Sequence, residues 1–125
     1  MFIQQNFNPK HKFVDDCVIR AIATATGRSW EDIYWDLSIR GAIEKDLLNA
    51  NYIWWEYLTE IGFKGHRLPD TCPWCYTIKD FCRDHRHGIY VVGDGSHAVA
   101  VVDGNYIDTS DSGSLRVLLY FSKGE

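Results

Sequence analysis

The stretch Ser96-His97-Ala98-Val99-Ala100-Val101-Val102-Asp103-Gly104-Asn105-Tyr106-Ile107-Asp108 carries the reading of this chain. Asp-Gly between two runs of β-branched and aromatic residues is a strong local hairpin signal. A two-residue loop at Asp103-Gly104 sets Val102 opposite Asn105 and, counting back, Val99 opposite Asp108. Directly opposed residues share a face, as do residues two apart on one strand, so His97 and Asp108 become diagonal neighbours. A three-residue loop flips the parity and brings Asp111 opposite His97 instead. In either register an imidazole has a carboxylate beside it.

Outward from this hairpin, Ile89 to Val92 and Leu115 to Phe121 have the same strand composition and are set off by Asp94-Gly95 and Ser112-Gly113. Upstream of Gly88 the period is helical. Ser29, with Asp32 three positions on, starts a helix whose stripe is Trp30, Ile33, Tyr34 and Leu37 and which Gly41 ends, with a further helical segment around Ala42 to Leu48. Tyr52 to Ile61 is a helix stopped by Gly62, and Phe63 to Leu68 a short strand closed by Pro69-Asp70. Thr77 and Asp80 cap a helix that runs to about Asp84. Residues ahead of Cys17 read as a polar entry loop. The expected fold is α+β, N-terminal helices packed on a C-terminal antiparallel sheet, in one domain over residues 1–125.

The helix that matters most for chemistry lies in Val14-Asp15-Asp16-Cys17-Val18-Ile19-Arg20-Ala21-Ile22-Ala23-Thr24-Ala25-Thr26-Gly27. Val18, Ile19, Ile22 and Ala25 keep helical spacing, Asp15 or Asp16 is the N-cap, and Gly27 is the stop. Cys17 therefore falls in the first turn. There the macrodipole and the unpaired N–H groups favour thiolate, the nucleophilic form. A cysteine beside Val and Ile is otherwise an ordinary core residue, and adjacent carboxylates oppose ionisation unless they point away as caps.

A thiol nucleophile needs a base for its proton, and the base needs a third group to set its tautomer. Cys17, His97 and Asp108 supply those parts in that order along the chain. Asp16-Cys17 opening a helix, with Ser96 to Gly104 and Tyr106-Ile107-Asp108 far downstream, resembles the papain-like cysteine peptidase superfamily. The likeness is nearest to its small bacterial and phage-encoded members, similar to the C39-like and, more distantly, the NlpC/P60-like branches. The resemblance implies a papain-like fold with Cys17 as nucleophile, His97 as general base and acid, and Asp108 as the orienting residue. It implies a cysteine-dependent hydrolase, a peptidase, isopeptidase or amidase working through an acyl-enzyme thioester on a protein or peptide substrate. Where papain-like enzymes usually carry a Gln six positions ahead of the nucleophile, this chain has His11. The oxyanion donors are then the Cys17 N–H with a side chain such as His11, Asn8 or Asn6. The departure also suits a second reading, a catalytically silent binding or inhibitor module on the same fold.

Cys72-Pro73-Trp74-Cys75, followed by Cys82 and by His85 or His87, forms a rival site. Cys82 and His85 are three apart on a helix and share a face, as a zinc site would need, but the two halves sit too close for a common finger. No metal and no cofactor are expected. Net charge of −4 with no cluster of Lys and Arg argues against nucleic acid as a partner. No apolar run reaches the length of a membrane span, and the opening residues lack the regions of a signal peptide. A cytoplasmic protein with four cysteines kept as thiols is expected.

Overall fold

In the computed structural model, which describes residues 1–123, a six-stranded sheet is flanked by four helices in a mixed α+β architecture. The elements in chain order are β1 (Phe2–Gln4), α1 (Cys17–Thr26), α2 (Trp30–Glu44), α3 (Asn51–Glu60), β2 (Phe63–Arg67), α4 (Ile78–Asp84), β3 (Ile89–Gly93), β4 (Ala98–Val102), β5 (Asn105–Asp108) and β6 (Leu119–Lys123). The strands lie side by side in the order β1-β5-β4-β3-β6-β2.

Alternation along the central strands explains the two layers around the sheet. Val91, Ala98, Leu119 and Phe121 face one side, where they join Ile19 and Ile22 of α1, Ile33 and Leu37 of α2, and Trp54 and Leu58 of α3. Val92, Val99, Val101 and Tyr106 face the other side and bury Ile78, Phe81 and Cys82 of α4. Successive strand residues point to opposite faces, so both faces of strands this rich in Val and Ala need a cover. Helices supply it on each.

The β4–β5 hairpin takes the two-residue loop. Val102 pairs with Asn105, Val101 with Tyr106 and Ala100 with Ile107. Asp103 and Gly104 both adopt positive φ, at 49° and 78°, as a turn whose twist matches its flanking strands requires. Helix starts also follow local rules. The Ser29 hydroxyl accepts from the Asp32 N–H, and Thr77 and Asp80 form a reciprocal capping box.

Four expectations are corrected. The N-terminal residues are not loop throughout: β1 joins the sheet edge, parallel to β5, a pairing made far along the chain that three residues cannot announce locally. Helix α2 runs through Gly41 to Glu44, and Gly41 is instead where the following turn presses close: a Cβ there would meet the Asp46 carbonyl oxygen at 2.8 Å. The sheet is not built from C-terminal strands alone, since β1 and β2 complete its two edges, and β3 lies between β4 and β6. Cys72 and Cys75 are joined in a disulfide rather than left as thiols.

That bond also removes two ligands from the zinc reading. Cys82 is buried on the core face of α4, and His85 Nδ1 donates to the Phe81 carbonyl at 2.9 Å with its ring stacked on Phe81. Among the described residues no group of three or more metal-ligating side chains forms, and no helix is long and apolar enough to cross a membrane.

Candidate active site

Cys17 is the first residue of α1, so its backbone N–H has no carbonyl four residues back within the helix. Asp16 stands at the N-cap position, but its side chain makes no capping bond. The carboxylate turns to other partners. Its Oδ1 accepts from Arg20 Nε at 2.8 Å, and its Oδ2 accepts from Trp30 Nε1 at 3.0 Å and Asn8 Nδ2 at 3.2 Å. The acid next to the thiol is thereby matched by a cation on the next turn of its own helix.

His97 sits immediately before β4, held by a tight turn. A single oxygen of Asp94 accepts from the Ser96 N–H, the Ser96 hydroxyl and the His97 N–H, each at 2.9 Å. Gly95 lies inside this turn at φ +94°. A side chain is strained there, so Gly95→Ala is expected to cost about 1–3 kcal/mol and to disturb the histidine it delivers. A lowered Tm together with slower alkylation of Cys17 would show both effects.

The imidazole Nε2 lies 2.8 Å from Asp108 Oδ2, the diagonal contact that the hairpin register sets up. Asp111 takes no part, because its carboxylate accepts from the Tyr106 hydroxyl at 2.6 Å. With Nε2 engaged, Nδ1 is the nitrogen left for the thiol. The Cys17 sulfur lies close enough to help raise the pKa of the ring, and the two side chains line one cavity of about 130 Å³.

Asp108 is clamped. It is 3% exposed, and its Oδ1 accepts from the Thr109 N–H at 2.7 Å and from Arg20 Nη1 at 3.0 Å. Burial alone would push this carboxyl up, but His97, Ser112, the Thr109 N–H and Arg20 together hold it well below the usual carboxylate range. Arg20 thus bridges Asp16 and Asp108, both almost fully buried. The His97 ring is pushed up to about 10, chiefly by its bond to Asp108, then by Cys17, against a downward pull from burial.

The His97 shift makes stability depend on pH with a definite sign. A ring that ionises near 6.5 in the unfolded chain and near 10 in the folded one binds more protons when folded, so its contribution is complete below about pH 6.5 and is lost as pH rises through 10. Tm should therefore decline over that window. The decline should flatten in His97→Ala, as followed by thermal unfolding at several pH values.

The oxyanion donors expected from the N-terminal loop are corrected. None of Asn6, Asn8 and His11 lines the Cys17 cavity. Asn6 Nδ2 donates to the Lys12 carbonyl and Asn8 Nδ2 to Asp16, so both amides hold the loop together. The polar side chains that do line the cavity include Asn49, Asn51 and Ser96. Asn51 Oδ1 accepts from Trp54 Nε1 at 3.2 Å, while its Nδ2 lies toward Gly95.

Sequence reasoning passed over Arg20 and Asn51. Arg20 had a signal, being the one charged residue in α1 and one turn from both Asp16 and Cys17. Asn51 had none, because its place beside the thiol depends on how α3 packs. Comparison of the chain with protein-family models, with curated proteins and with solved structures finds no match in any of the three.

Proposed function

We propose that this protein is a papain-like cysteine hydrolase that cleaves an amide or isopeptide bond through a thioester intermediate. The observation that carries the reading is the meeting of Cys17 and His97 in one cavity, with Asp108 bonded to the far nitrogen of the ring. Cys17 is 8% exposed and packs at the edge of the core, yet it stands next to an imidazole held by a carboxylate.

In this reading the Cys17 thiolate attacks the substrate carbonyl carbon while His97 carries the proton. In this reading the oxygen that gains charge is met by the Cys17 N–H, at the first position of α1, and by the amide of Asn51, which lines the same cavity. As the tetrahedral species collapses, the C–N bond breaks and the imidazolium passes its proton to the departing amine. The neutral ring then takes a proton from water. The resulting hydroxide attacks the thioester, frees the acid and returns the sulfur to its starting state. Asp108 keeps the ring oriented and offsets its positive charge throughout.

p-Nitrophenyl acetate tests the chemistry without knowledge of the natural substrate. An acetyl group should appear on Cys17 and clear with turnover in the wild type, and should form far more slowly in His97→Ala. Acetylation of Cys17 no faster than in the urea-unfolded chain would overturn the reading. A folded protein that binds a peptide target yet never acylates would be the silent module instead.

A further inference from the structure

The small cavity at Cys17 does not stand alone. It shares Asn51, Trp54 and Gly95 with a larger groove of about 620 Å³, so the two lie side by side with a common wall. Tyr52, Trp54 and Trp55 of α3 line that groove along with Leu118 and Leu119, and Arg67, at the end of β2, lines it as well. Aromatic and aliphatic walls of this kind suit an apolar side chain.

The groove also has a defined electrostatic character. Three charged residues line it: Glu56, Arg67 and Asp94. Glu56 lies 3.7 Å from Arg40, and one oxygen of Asp94 already accepts three hydrogen bonds from its own turn. Arg67 differs from both. Its guanidinium lies over the Trp55 ring, 4.6 Å from the centroid, and among the described residues it has no carboxylate partner. Stacking on an indole orders the guanidinium while leaving its N–H edges for an acceptor, the arrangement that recognises carboxylates. At the other end Asp15 borders the thiol, so the negative end of a ligand is favoured away from Cys17 and toward Arg67.

We propose that this groove binds the substrate as an extended peptide, with an apolar side chain against Tyr52 and Trp55 and a carboxylate on Arg67. The proposal rests on Cys17 being the nucleophile only for the cleavage it implies; binding is tested without it. The carboxylate is either an acidic side chain or a free chain end, and the two share the same chemistry.

Four probes separate these cases: N-acetyl-Leu-Glu-amide, N-acetyl-Leu-Gln-amide, N-acetyl-Leu-Gln free acid and N-acetyl-Leu-Lys-amide. Binding to the intact protein is followed by tryptophan fluorescence. At least one carboxylate probe is expected to bind about tenfold more tightly than the Gln amide, with the advantage abolished by Arg67→Met and reduced by added salt. Preference for the Glu amide alone assigns an acidic side chain, and preference for the free acid alone a chain terminus. Equal binding of all four, tightest binding of the Lys probe, or a preference that survives Arg67→Met overturns the proposal. The same peptides carrying chloroacetyl in place of acetyl should alkylate Cys17 in the same order of rate, while chloroacetamide itself reacts alike with wild type and Arg67→Met. Selective binding without alkylation would leave the groove assigned and sink the nucleophile.

Discussion

In His97→Ala, alkylation of Cys17 by iodoacetamide at pH 7 should slow by about a hundredfold, because the variant has no base within reach to take the proton from the sulfur. Turnover of any acyl substrate should fall further, by about a thousandfold, since the variant also lacks the acid that protonates the leaving amine. Peptide mapping separates Cys17 from the other free thiol, Cys82; both are buried, and burial pushes the Cys82 pKa up. In the wild type, amide hydrolysis should fail as pH passes through about 10 and the ring loses the proton it must donate. Indistinguishable alkylation rates in the two proteins at pH 7 would argue that sulfur and ring do not act together.

Removing Arg20 should have the largest effect on stability. Its guanidinium meets two carboxylates, Asp16 and Asp108, that are 4% and 3% exposed. Arg20→Ala leaves both charges in the interior with fewer donors, a loss typically costing about 3–5 kcal/mol. In a chain of this length that corresponds to a Tm lower by roughly 10 °C or more. Arg20→Lys is the sharper probe of function. It keeps the charge but cannot offer two separate N–H edges, so it should restore much of the Tm while leaving Asp108 less well held. Thermal unfolding and iodoacetamide kinetics on the same samples distinguish loss of fold from loss of alignment. A Tm within two degrees or so of wild type for Arg20→Ala would mean that the bridge contributes little.

What could be read in advance was local. The contact between His97 and Asp108 spans eleven residues and follows from one tight turn and the two-residue period of a strand. Cys17 at a helix start follows from the spacing of Val18, Ile19 and Ile22 and from Gly27, which ends α1 at φ 72°. The capping box at Thr77 and Asp80 was equally plain, because all its parts lie within four residues. The approach of Cys17 to His97 is of another kind. It depends on α1 packing against β4 across eighty residues, and no periodicity within either segment contains it. The same holds for β1, whose partner β5 lies about a hundred residues away.

Where the reading went astray, a side chain had two physical uses and the local one was assumed. Asp16 has the type and position of a cap, yet three donors, from Asn8, Arg20 and Trp30, reach its carboxylate and draw it off the helix end. Asn6 and Asn8 were suitable oxyanion donors by chemistry, but their amides close the loop that contains them. Gly41 had the look of a helix stop, although its missing side chain serves the approach of the next turn.

The edge strand β1 ties remote parts of the chain into one fate. Its residues lie alongside β5, Gln4 is in register with Asp108, and the Gln5 N–H reaches the Asp108 carbonyl at 2.9 Å. The first five residues therefore act as a splint on the strand that ends in Asp108. A proteolytic nick in the loop between β1 and α1 would unfasten that splint while leaving Cys17, His97 and Asp108 uncut, so this loop governs from a distance how firmly Asp108 is held.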